Sequence, residues 1–78
     1  MEDGIDVGKA LKELRKKNGV SQGDIFRATG LERGYLSKIE NGKIKQPRIT
    51  TIYKLAGFFN IKVSEFIRLA EEEHRSNV

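Results

Sequence analysis

The chain has no cysteine and a single histidine among its 78 residues. Without cysteine there is no disulfide framework and no cysteine-based zinc site. His74 alone cannot build a metal site. No glycine-rich phosphate loop is present, and the carboxylates are scattered, with no acidic cluster to hold a catalytic metal. Neither an enzyme nor a bound cofactor is expected. No apolar stretch approaches the roughly 18 residues of a membrane span, and the opening MEDGID is acidic, unlike a signal peptide. A soluble, cytoplasmic protein is expected. Alternating runs of strand length, internal repeats and low-complexity linkers are also missing, which leaves an all-α fold.

What is present suits one small domain over residues 1–78, near the lower end of what folds alone. Hydrophobic residues make up 37%, with four Phe and two Tyr, enough for a small core and too much for a disordered tail. Net charge is +4 and unevenly spread. Residues 9–62 hold 13 Lys/Arg against 4 Asp/Glu, a charge of +9, whereas residues 1–8 carry −3 and residues 63–78 carry −2. A basic middle attracts a polyanion at long range.

Five helices are legible. The first spans 6–17, with Val7, Ala10, Leu11 and Leu14 at helical spacing, and ends at Asn18-Gly19. Lys9, Lys12, Lys16 and Lys17 fill its outer face. The second starts at Ser21, where Ser21 and Asp24 have the spacing of a capping box. Ile25 and Ala28 face inward, with Phe26 a further candidate for that face. Gly30 permits the positive φ of a sharp exit. The third spans 32–40, with Leu36 and Ile39 buried, Leu31 as an apolar anchor and Tyr35 half buried. Asn41-Gly42 stops it. The basic loop KIKQPR follows, with the only proline, Pro47. The fourth helix spans 49–59, with Ile52, Leu55, Ala56 and Phe59 inward and Asn60 as a left-handed exit. The fifth spans 63–72, with Phe66, Ile67 and Ala70 as its stripe, and the tail HRSNV is expected to fray.

The segment 21–42, SQGDIFRATGLERGYLSKIENG, is two short helices joined at Gly30, the second with polar and basic residues outward. That is the layout of a helix-turn-helix, which lowers a helix into the major groove of DNA. The runs LKELRKKNGVSQGDI, TGL, YLSKIENGKIKQPR and IYKLAGFFNI, between Leu11 and Phe66, resemble the lambda/434-repressor-like, Cro-type helix-turn-helix domains, the xenobiotic-response-element family. The resemblance implies a five-helix lambda-repressor-like DNA-binding fold.

The resemblance also implies roles. Gln22 matches the family glutamine that bonds a DNA phosphate at the start of the second helix, and Ser21 beside it is expected to be a phosphate contact too. Arg15 and Glu40 match an internal ion pair tying the recognition helix to the scaffold. Asn41, Lys43, Lys45 and Arg48 match the loop that grips the sugar-phosphate backbone. Two Lys and one Arg in six residues, with no acid, suit contacts that fix register without reading sequence. Arg33, Gly34, Ser37 and Lys38 face the groove. Arg33 is the best base reader, because a guanidinium can bond guanine O6 and N7 together. Glu32 fits the helix dipole better than a base. Two departures stand out. Gly34 replaces the polar side chain common at its position, and Phe26 occupies a place that is often Ala, so it either turns outward or splays the helices.

One helix-turn-helix offers few base contacts, so a homodimer on a pseudo-palindromic operator is expected, with Phe58 and Ile67 as interface candidates. Ile44, Ile49, Tyr53 and Leu69 are further apolar residues that five short helices have difficulty burying. The expected function is a sequence-specific double-stranded-DNA-binding transcriptional regulator of small repressor or controller type. No small-molecule effector is evident, and regulation is expected through concentration, dimerisation or a partner. The alternative is an antitoxin-like protein-interaction module with secondary DNA binding, in which the acidic EEEHRSNV end meets a basic partner.

Overall fold

Several helix ends carry local signals, those of the first two helices most clearly. In the computed structural model, which describes residues 4–76, the order is α1 (Val7–Asn18), α2 (Gln22–Thr29), α3 (Arg33–Glu40), α4 (Ile49–Phe58) and α5 (Val63–Ser76). Asp6 caps α1, its carboxylate accepting the Lys9 N–H at 3.0 Å. Ser21 and Asp24 form the reciprocal capping box of α2: the Asp24 N–H donates to Ser21 Oγ at 3.0 Å, and the Ser21 N–H donates to Asp24 Oδ2 at 2.8 Å. Gly30 closes α2 at φ 80°, and its N–H reaches the Phe26 carbonyl. Asn60 takes φ 58°, the left-handed exit expected after α4.

The helices pack around one core. Val7, Ala10 and Leu11 of α1 meet Ile25, Leu31, Leu36 and Ile39 of the helix-turn-helix, and Ile52, Leu55, Ala56, Phe66 and Ala70 close it from α4 and α5. Seven of these core residues are large side chains with almost no exposure, so the helix-turn-helix is held from behind by apolar contact. α1 lies against both α3 and α5, and α2 against α3 and α4.

Several expectations need correction. Ala28 is exposed, and Phe26 turns outward with 37% exposure. The inner face of so short a helix is narrow, and Ile25 fills it, with Leu31 following. The helices therefore need not splay around a phenylalanine. Phe59 packs half buried against the core, as its inward placement implied, and also serves as the C-cap of α4. Ile67 is likewise half buried. α5 continues to Ser76 instead of stopping near residue 72. An Arg68–Glu72 pair one turn apart supports its last turns, and the Lys9 ammonium, 3.8 Å from the Glu73 carboxylate, ties them to α1. The rest of the expected frayed tail, residues 77–78, lies outside the described residues, as do the acids at positions 2 and 3. Among the described residues, no helix is long and apolar enough to cross a membrane.

Candidate nucleic-acid interface

The site begins with how α3 is fixed. Leu36 and Ile39 point into the core with no exposure. At its C-terminal end Glu40 receives a two-pronged bond from Arg15 of α1: Nε to Oε2 at 2.6 Å and Nη2 to Oε1 at 2.8 Å. The Glu40 side chain is only 5% exposed. The hydrogen bond to Glu40 also holds the Arg15 guanidinium above its ordinary pKa, against the opposing pull of desolvation. A third N–H of Arg15 reaches the Val20 carbonyl at 3.2 Å, between α1 and α2. Gln22 joins the cluster by donating Nε2 to Glu40 Oε1 at 3.3 Å. One buried carboxylate thus fastens α1, the start of α2 and the end of α3. Such a network fixes orientation more than it adds stability.

With its inner face locked, α3 presents Arg33, Gly34, Ser37 and Lys38 outward, all exposed, with Glu32 exposed at the helix start. Glu32 makes no side-chain capping bond. A β-carbon at Gly34 would meet nothing within 4 Å, so packing does not require glycine there, and the middle of the exposed face stays low. Tyr35 is braced from the side, its hydroxyl 2.9 Å from the Thr51 hydroxyl of α4.

The flanks differ. At the start of α2, Ser21 is exposed and Gln22 half buried. Gln22 is engaged with Glu40 through its amide nitrogen, so it would offer a phosphate only its second N–H. The Ser21 N–H, donating to Asp24, also holds that carboxyl below its ordinary pKa. After α3 the loop folds back on the helix end: the Lys43 and Ile44 N–H groups both reach the Lys38 carbonyl, at 2.9 and 3.0 Å. Asn41 accepts the Lys43 N–H through Oδ1 at 3.1 Å, which leaves its amide N–H groups for an outside acceptor. Asn41, Lys43, Lys45 and Arg48 are all exposed, and Arg48 is the N-cap of α4. Lys45 lies along a cleft bordered by Ile5, Gly42, Ile44 and His74.

Arg27 is a candidate that no sequence motif singles out. It lies in the last turn of α2, ion-paired with Asp24, and its guanidinium bends back over Gly23, as does that of Arg33. A signal existed in the i, i+3 spacing of Asp24 and Arg27, but the approach to Arg33 depends on how α2 and α3 cross. The candidate interface residues Phe58 and Ile67 are both half buried against the core, and Phe58 packs edge-on to Phe59 with centroids 5.0 Å apart. The most exposed large apolar residues are instead Ile49 and Tyr53 of α4, at 67% and 71%. Among the described residues, no group of three or more His, Cys, Asp or Glu could hold a metal ion.

Known proteins share this architecture. The family model described as helix-turn-helix matches residues 11–66. The transcriptional regulator PuuR of Escherichia coli is 32% identical over 77 residues, 99% of this chain and 41% of PuuR. The chain thus spans about two fifths of that relative's length. The restriction-modification controller protein C.AhdI of Aeromonas hydrophila superposes with a TM-score of 0.71 at 32% identity, over 80% of this chain and 92% of C.AhdI. SinR, a regulator from Bacillus subtilis solved in complex with DNA, superposes with a TM-score of 0.71 at 27% identity, over 77% of this chain and 95% of that one. These proteins are transcriptional regulators and controllers rather than enzymes. With the family model covering most of its length and the five-helix architecture in common, the chain belongs to the helix-turn-helix family, in its lambda/434-repressor-like, Cro-type branch.

Proposed function

We propose that this chain is the sequence-specific DNA-binding unit of a transcriptional regulator of small repressor or controller type, docking α3 in the major groove. The observation that carries this reading is the contrast between the two faces of α3. Leu36, Ile39 and Glu40 hold the helix rigidly from inside, while Arg33, Gly34, Ser37 and Lys38 are exposed. A helix so fixed presents base-reading groups in one defined register. Ser21, Gln22, Asn41, Lys43, Lys45 and Arg48 would supply phosphate contacts on either side. C.AhdI, a controller protein, and SinR, solved on DNA, lend support by similarity.

The proposal includes a homodimer on a pseudo-palindromic operator with half-sites roughly 34 Å apart, and a cytoplasmic location. Two-fold symmetry doubles a small set of base contacts. Phe58 and Ile67, and the more exposed Ile49 and Tyr53, are among the apolar groups available to a second copy.

Arg33→Ala is the test of the base-reading role. It is expected to weaken binding to the preferred duplex by about 1–3 kcal/mol and to relax preference at one base position, with a smaller loss on scrambled DNA. Equal losses on both duplexes in a fluorescence-anisotropy titration would make Arg33 a phosphate contact only.

A further inference from the structure

The crossing of α2 and α3 gathers three donors over one glycine. Gly23 lies in the first turn of α2 and is buried. The position a β-carbon would occupy there is 3.5 Å from Arg27 Nη1, 3.5 Å from Ser21 Oγ and 3.6 Å from Arg33 Nη1. Two guanidiniums from different helices thus converge over the same floor. Arg27 is paired with Asp24 through Nη2, which holds its fork in place and leaves Nη1 directed over the glycine. The Arg33 side chain makes no ion pair or hydrogen bond among the described residues. Asp24 pairs with Arg27 alone, so the Arg33 guanidinium comes to the same glycine without a counter-charge of its own, and like charges repel unless an anion comes between them.

We infer that Arg27 is a DNA-phosphate ligand, seated with Ser21 and Arg33 around a single phosphate above Gly23. This rests on the DNA-binding reading of the α3 face. The chemistry favours a phosphate because planar guanidinium forks match its oxygens in pairs, and the Ser21 hydroxyl still has its proton to donate. Arg33 has donors to spare, so it can touch this phosphate and a base edge together. Arg27 then acts as the partner that stiffens the base-reading arginine. Glycine at position 23 keeps the floor low. An alanine there would make only ordinary contacts in the free protein, but its methyl group would stand where the phosphate approaches.

The test is a titration of a short random-sequence duplex pool at several salt concentrations, because a phosphate contact needs no particular sequence. Arg27→Gln is expected to lower the slope of log affinity against log salt by about 0.9, and Arg27→Lys to restore it. Gly23→Ala is expected to lose affinity several-fold while its thermal midpoint stays at or above that of the unaltered chain. Lys54→Gln, which removes one charge from the exposed side of α4, is expected to leave the slope unchanged. An unaltered slope in Arg27→Gln, or an equal drop in Lys54→Gln, would overturn the inference. Failure of the unaltered chain to bind the pool at any salt would instead overturn the DNA-binding reading, and this inference with it.

Discussion

Replacing Gly8 by alanine is expected to destabilise the fold by about 3 kcal/mol, the upper end of ordinary overpacking. A β-carbon at this position would stand 2.1 Å from the Ile39 carbonyl oxygen and 3.2 Å from the Glu40 α-carbon. Both are backbone atoms of α3, so no side chain can swing aside. Relief requires α1 to move off α3. That movement would loosen Val7, Ala10 and Leu11 in the core and pull Arg15 from Glu40. Alanine's better helix propensity offsets at most about 1 kcal/mol of this. A loss of about 3 kcal/mol is a large share of the 4–12 kcal/mol expected for a chain of this length, and corresponds to a fall in thermal midpoint of roughly 12–24 °C. Gly57→Ala is the matched control, since a β-carbon there meets nothing within 4 Å. Urea melts of the two variants decide the matter. A Gly8→Ala protein as stable as the unaltered chain would mean that α1 does not cross α3 so closely.

Leu36→Ala is expected to cost about 2–5 kcal/mol, the range for deleting a fully buried leucine and leaving part of the cavity empty. Leu36 has no exposure and is one of the two buried residues of α3. The variant should also lose DNA binding out of proportion to any direct contact, because Leu36 faces away from the proposed groove. Urea melts and anisotropy titrations on the same preparation would separate the two effects. Ser37→Ala, next along α3 but exposed, should leave stability nearly unchanged.

Local chemistry carried much of this fold in the sequence. The Ser21–Asp24 capping box, the exit at Gly30 and the left-handed Asn60 are signals confined to a few residues, and each stands where the spacing implied. So do the buried residues of α1 and α3: Val7, Ala10 and Leu11 at helical spacing on the one, Leu36 and Ile39 on the other. The Arg15–Glu40 pair came from the family resemblance, since nothing in 25 residues of separation indicates it. What stayed illegible depends on how helices cross. Gly8 is an unremarkable helix glycine until the α3 backbone lies against it. Arg27 is a solvated arginine until Arg33 reaches the same glycine. Ile25 is the one apolar side chain of α2 that the core buries, so Ala28 and Phe26 are left facing outward, a choice set by how α2 lies on α3 and α4. The last turns of α5 were lost to a charged composition that reads as a tail, yet the Arg68–Glu72 pair and the approach of Lys9 to Glu73 support a helix there.

The most direct test of the central claim is selection of bound sites from random duplex DNA at two salt concentrations. The account predicts a pseudo-palindromic motif with half-site centres about one helical turn apart, retained at both salts. Motif-free binding that vanishes by ~200 mM salt would contradict it, leaving only a basic surface that attracts any polyanion.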